Sequence, residues 1–193
     1  IQNKGKGIPL IHYVAPTVWA WRPGRARAVA RFLDRLLTLL PFEPPYFERE
    51  GLAATFVGHP VLESGAGQGN GSAFRDRHGI AAATPLLAVL PGSRRSEIRA
   101  LLPVFGAALR LIASEVPNLR VVVPSVATLA AEIRAGVRSW PGDPVTVEGD
   151  GDKYDAFAAA DAALAASGTV SLELALAGAP HVIAYRMNPV TAW

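Results

Sequence analysis

The sequence predicts an α/β protein built on parallel sheets, and three observations carry that expectation. Short apolar, often β-branched runs alternate with amphipathic segments along the whole chain, which is the pattern of βα units. Two of the apolar runs end in glycine-containing loops that open helices. One stretch of small and polar residues, Leu62 to Gly71 (LESGAGQGNG), divides the pattern in two.

The expected strands are, in order, Pro9 to Val14, Leu36 to Leu40, Thr55 to Val57, Leu86 to Leu90, Leu119 to Val123, Val145 to Val147, Ala162 to Ala165 and His181 to Ala184. Between the first two, Gly24 to Asp34 sets Val29, Phe32, Leu33 and Leu36 at helical spacing with Arg27, Arg31 and Arg35 opposite, a surface helix with a basic face. Ile98, Leu101, Leu102, Phe105, Ala108, Leu109 and Ile112 keep the same spacing further on. Pro103 interrupts them, so a short turn followed by a main helix from Pro103 is expected. The glycines of 62–71 read as a flexible linker. That gives an incomplete α/β unit over 1–61 and a fuller βαβ run over 72–193.

With 50% hydrophobic and 18% charged residues the chain is a folded body, too apolar for disorder. No apolar run reaches the roughly 18–20 residues needed to span a bilayer. The absence of cysteine excludes disulfides, thiolate metal sites and a Cys nucleophile, as befits a cytoplasmic protein. A net charge of +3 is weaker than a dedicated nucleic-acid binder carries, so no nucleic-acid partner is expected. The opening IQNKGKG has neither an initiator Met nor signal-peptide order, and it reads as an interior cut with sequence upstream.

Chemistry concentrates at two loops. After the strand ending at Leu90 comes Pro91-Gly92-Ser93-Arg94-Arg95-Ser96-Glu97. In an open parallel sheet, ligands bind beyond the carboxyl ends of the strands. Gly92 would let backbone N–H groups approach an anion, Ser93 adds a hydroxyl, and Arg94 a guanidinium fork suited to phosphate oxygens. The alternative is a turn in which Ser96 and Glu97 help cap the next helix.

The second loop reads Ser167-Gly168-Thr169-Val170-Ser171-Leu172-Glu173. A helix starting at Thr169 would turn free N–H groups toward the same crevice, with Glu173 four residues on, placed to accept from a ribose diol. Here the alternative is that Ser167 or Thr169 caps the helix and Glu173 complements its dipole. Paired, the loops suit a nucleotide sugar, and neither matches a dinucleotide fingerprint or a P-loop. Asp150-Gly151-Asp152 has the Asp-x-Asp pattern of metal-dependent sugar transferases, but a turn and helix cap account for it, and no metal or cofactor is expected.

Several blocks carry a resemblance. VWAWRPGR, LPFEP and FVGHP within His12 to Glu63, LPGSRRSEI at Leu90 to Ile98, and ASGTVSLELALAGAPHVIAYRMNPVTAW at the end resemble lipid-A-disaccharide synthases in the same order and over most of the chain. The resemblance implies a glycosyltransferase-B-like fold of two Rossmann-like parallel-sheet domains. The first, acceptor-side domain would be incomplete in this chain, and the second would hold the UDP-sugar donor and be cut short at its C-terminus.

It further implies inverting transfer of 2,3-diacylglucosamine from UDP to 2,3-diacylglucosamine 1-phosphate, in the bacterial cytoplasm and peripheral on the anionic inner-membrane surface. Ser93 and Arg94, with Gly92, would meet the diphosphate, and Ser167, Gly168, Thr169 and Glu173 the nucleotide. The family's proposed acidic catalytic residue lies upstream, so no base is assigned and the fragment alone is expected to be inactive.

Trp19, Trp21 and Arg22 would line an acceptor pocket or a membrane interface, or form a packed aromatic turn. His59 is placed near the cleft by resemblance, while Arg25, Arg27, Arg31 and Arg35 suit anionic lipid or a solvated face. His12, His78 and His181 show no ligand spacing. The competing readings are another UDP-sugar transferase or epimerase of the same fold, and a non-catalytic nucleotide-sugar-binding module.

Overall fold

The computed structural model describes residues 7–186. The chain divides into two compact units, with the boundary between Leu62 and Glu63.

The first unit runs β1 (Ile11–Tyr13), α1 (Gly24–Ala30), β2 (Arg35–Thr38), α2 (Pro44–Glu48) and β3 (Ala53–Phe56), with all three strands parallel in the order β1-β2-β3. Val18, Ala26, Leu33, Leu36, Phe47 and Leu52 form its core. Its strands differ from expectation at their ends for local reasons. Val14 turns to φ 78° and stops β1. The N–H groups of Leu39 and Leu40 bond to the buried Glu43 carboxylate at 3.1 and 2.9 Å instead of extending β2. Helix α1 ends at Ala30 with a last turn closing on Val29, and the Asp34 carboxylate beyond it takes Leu10 N–H at 2.8 Å. The expected basic face is therefore shorter: Arg31 is the C-cap, and Arg35 lies on β2, where it donates to Thr55.

The second unit contains α3 (Gly71–Arg77), β4 (Leu86–Leu90), α4 (Arg95–Glu115), β5 (Arg120–Ser125), α5 (Ala130–Val137), β6 (Val145–Glu148), α6 (Asp150–Ala159), β7 (Ala162–Ala166), α7 (Val170–Leu176) and β8 (His181–Ala184). Five parallel strands lie in the order β6-β5-β4-β7-β8. Alternation along β4 sends Leu86, Ala88 and Leu90 to one core, with Phe74, Phe157 and Leu174, and Leu87 and Val89 to the other, with Ile98, Phe105 and Leu109. Both faces are covered, as a parallel sheet requires.

Two expectations are corrected here. Helix α4 is continuous through Pro103 rather than restarting there. The proline is exposed, away from the core, while Ile98, Leu101, Phe105 and Leu109 hold the buried face of the helix in place. Residues 62–71 are packed structure rather than a free linker. They carry short 3-10 turns at Pro60–Glu63 and Ala66–Gln68, and Ala66 is buried in the core of the second unit. Gly69 and Gly71 lie so close to the Tyr154 and Ala158 carbonyls of α6 that a Cβ at either would collide with backbone. These glycines permit close approach, and composition alone does not distinguish that from flexibility.

Candidate functional site

Along the chain the second sheet grows outward from β4 to β5 and β6, then returns to the other side of β4 for β7 and β8. The order therefore reverses between β4 and β7, and the loops leaving those two strands diverge to opposite faces and open a crevice. A cavity of about 650 Å³ occupies it, a size suited to a small-molecule ligand. It is lined from β4 by Gly92, Ser93, Arg94 and Glu97, and from β7 by Ser167, Gly168, Thr169 and Glu173. All seven residues singled out in the two loops thus face one cavity.

The β4 loop takes the capping arrangement that its sequence offered as the alternative to an open anion site. Glu97, in the first turn of α4, accepts from the backbone N–H of Ser93 at 3.1 Å and of Arg94 at 3.3 Å through Oε2, and from the Arg94 guanidinium at 2.7 Å through Oε1. Arg94, not Ser96, is the N-cap residue. The two amides expected to be open to an anion are therefore already held by a carboxylate of the chain itself. Gly92 is needed for this: its φ is +119°, and a Cβ there would fall 2.6 Å from Glu97 Oε2. The Arg94 side chain remains 77% exposed and reaches the cavity, so its outer N–H groups stay available to a ligand.

At the β7 loop, Thr169 is the N-cap of α7 and its side chain makes no capping hydrogen bond. Glu173 is only 17% exposed and is not simply facing the helix dipole. Its Oε1 accepts from Lys153 Nζ at 3.1 Å and from the Tyr154 hydroxyl at 3.2 Å. Lys153 is gripped on its other side by Asp150 at 2.9 Å. Burial works against the Lys153 charge, but the hydrogen bonds to Asp150 and Glu173 outweigh it and hold the ammonium above its ordinary pKa.

Lys153, Gly149, Ser125, Val126 and Ala127 also line the cavity and were missed in the sequence, and Asp150, read there only as part of a cap or metal motif, lines it too. They sit at the carboxyl ends of β5 and β6, and the signal that would have found them is strand order rather than any motif. For Asp150-Gly151-Asp152, the N-cap is Gly149 and both acids fall in the first turn of α6, with Asp150 paired to Lys153 and Asp152 to Arg77 at 3.2 Å. Among the described residues no cluster of His, Asp and Glu is arranged to hold a metal ion.

The remaining candidates belong to the first unit. Trp19 meets Phe42 edge-on at 5.4 Å and Arg22 stacks 4.3 Å over Trp21, yet both indoles stay about half exposed. His59 accepts Val61 N–H on Nδ1 at 3.1 Å, which closes a local turn.

A doubly wound parallel sheet with its cavity at the strand-order reversal defines a class of α/β ligand-binding fold, and two solved structures share it. A glycosyl transferase family 9 protein from Veillonella parvula matches with a TM-score of 0.52 at 14% identity, over 87% of this chain and 64% of its own. Anabaena HepE, solved in complex with UDP-glucose, matches with a TM-score of 0.52 at 13% identity, over 91% of this chain and 53% of its own. At such identities the likeness is one of fold.

The family is fixed by sequence: the lipid-A-disaccharide synthetase family model matches residues 1–193, and the chain belongs to that family. Lipid-A-disaccharide synthase of Rhodospirillum centenum is 65% identical over 191 residues, 99% of this chain and 48% of that protein. The Paramagnetospirillum magneticum enzyme is 55% identical over 100% of this chain and 49% of its own length. The chain spans about half the length of the curated relatives it matches.

Proposed function

We propose that this chain is part of a bacterial lipid-A-disaccharide synthase, an inverting transferase that moves 2,3-diacylglucosamine from UDP to 2,3-diacylglucosamine 1-phosphate. In this reading the second unit is the donor domain and the first unit belongs to the acceptor side. The observation that carries it is the convergence of the Arg94 loop and the Ser167–Thr169 loop on one cavity at the sheet's switch point.

The cavity has a polarity that suits a nucleoside diphosphate. Arg94 on the β4 side offers a guanidinium to phosphate oxygens, and Ser93 a hydroxyl. Glu173 on the β7 side repels phosphate and attracts the neutral hydroxyl donors of a ribose. As the acceptor hydroxyl displaces UDP, negative charge grows on the departing diphosphate, and a fixed guanidinium stabilises that charge more than the bound donor. Because Glu97 already occupies the Ser93 and Arg94 amides, Arg94 is the principal cation of this wall. No residue of this chain is assigned as the base.

The membrane-surface part of the proposal rests on the first unit, where exposed Trp19 and Trp21 accompany Arg22, Arg25 and Arg27. Among the described residues no helix is long and apolar enough to cross a membrane.

The full-length protein is to be incubated with the UDP-diacylglucosamine donor and the monosaccharide 1-phosphate acceptor, with and without chelator. Disaccharide and UDP in both conditions support the proposal. UDP binding without product would favour a nucleotide-sugar-binding module, and loss of activity in chelator would reopen a metal role for Asp150 and Asp152.

A further inference from the structure

The cluster around Glu173 contains more than a nucleotide contact requires. Glutamate has three rotatable side-chain bonds, so a carboxylate that is to meet two adjacent hydroxyls at a set height in a cavity has to be held. Here it is held from α6. Lys153 Nζ and the Tyr154 hydroxyl both bond to the same oxygen, Oε1, at 3.1 and 3.2 Å. Tyr154 is 8% exposed and part of the core, so its hydroxyl is a rigid anchor. Lys153 is itself fixed between two carboxylates and lies 4.4 Å from the Tyr154 ring centroid. Neither bond uses Oε2, which is left as the acceptor of a residue that lines the cavity.

Resting on the donor-site reading above, we infer that Lys153 and Tyr154 are positioning residues, which pin Oε1 of Glu173 so that Oε2 meets the ribose diol of a uridine diphosphate.

The test uses full-length protein and two ligands, UDP and 2′,3′-dideoxy-UDP, which lacks the diol. A hydrogen bond to a charged partner amounts to about a tenfold to hundredfold difference in affinity, so wild type should prefer UDP by about that factor. Glu173→Gln should reduce the preference. Lys153→Met and Tyr154→Phe should each reduce the ratio of the two affinities at least about threefold, whatever they do to both ligands in common, and Lys153→Arg should restore part of it. A purely structural role would weaken both ligands alike and leave their ratio where it was.

Tyr154→Phe removes a single hydroxyl and keeps the core ring, so it serves if Lys153→Met fails to fold. A wild-type preference that falls in Glu173→Gln but persists in both α6 variants would overturn the positioning role and leave the donor site standing. No preference in wild type, or no UDP binding, would overturn both.

Discussion

Arg94→Ala separates catalysis from stability more sharply than any other single change. In the folded protein the guanidinium is 77% exposed and makes one ion pair, with Glu97 three residues on. Such an exposed pair contributes only about 0.2–1 kcal/mol to stability. In a domain of this size that corresponds to a fall in Tm of no more than about 4–5 °C. Glu97 would still accept the Ser93 and Arg94 amides, because those bonds use backbone atoms, so the loop should keep its shape.

The effect on turnover is expected to be much larger. Removing one donor fixed on developing negative charge commonly costs about 2.7–4 kcal/mol, or roughly 100–1000-fold in rate. The assay is disaccharide formation by the full-length enzyme at saturating and at limiting donor, with thermal unfolding measured on the same preparation. Both kcat and kcat/KM should fall, since the interaction strengthens in the transition state. Unchanged turnover at both donor levels, or a loss accompanied by a collapse in Tm, would refute the reasoning.

Three further predictions concern the frame that carries the cavity. Gly71→Ala should lower the unfolding free energy by about 1–3 kcal/mol in urea, because its methyl would meet the Ala158 carbonyl; an unchanged midpoint would mean that 62–71 is not docked on α6. Pro103→Ala should stabilise by about 1–2 kcal/mol if the helix runs unbroken through residue 103, and give no gain if it restarts there. Asp155 accepts from Arg77 at 2.8 Å and from Asn70 N–H at 2.6 Å, and these bonds, Arg77 first, hold its carboxyl below the ordinary range against the opposing effect of burial. A depressed folded pKa gives stability that is present above the unfolded value of about 3.9 and lost as pH falls through the folded one. Asp155→Asn should therefore be less stable at neutral pH, with a flatter decline in urea midpoint between about pH 6 and 2, and an acid limb as steep as wild type would contradict this.

What the sequence made legible follows from where its signals are local. Leu86 to Leu90 is bounded by Pro85 and by Pro91-Gly92, and β4 has those limits. The strands of the first unit shifted by one or two residues at their ends, where side chains take backbone amides that a strand would otherwise use: Glu43, three and four residues on, takes those of Leu40 and Leu39, and Asp34, across the sheet, takes that of Leu10. Pro103 misled because its effect depends on whether its side of the helix faces water, which a proline does not announce. Gly69 and Gly71 misled because a glycine kept for close approach is spelled like one kept for freedom.

At the site, the β4 and β7 loops were readable, since a glycine after an apolar run marks a strand end. Lys153 was not, because its role depends on α6 lying beside α7, which only the strand order β6-β5-β4-β7-β8 brings about. Glu97 was legible as a cap, but its hold on the amides offered to a phosphate needed the fold of Gly92 at φ +119°.

The most direct test of the central claim is a UDP titration of this chain followed through its backbone amide resonances. Gly92 to Arg95 and Ser167 to Val170 should shift together and saturate at one concentration, as two walls of a single site. Shifts confined to one loop, or saturation at residues away from the β4 and β7 ends, would contradict it.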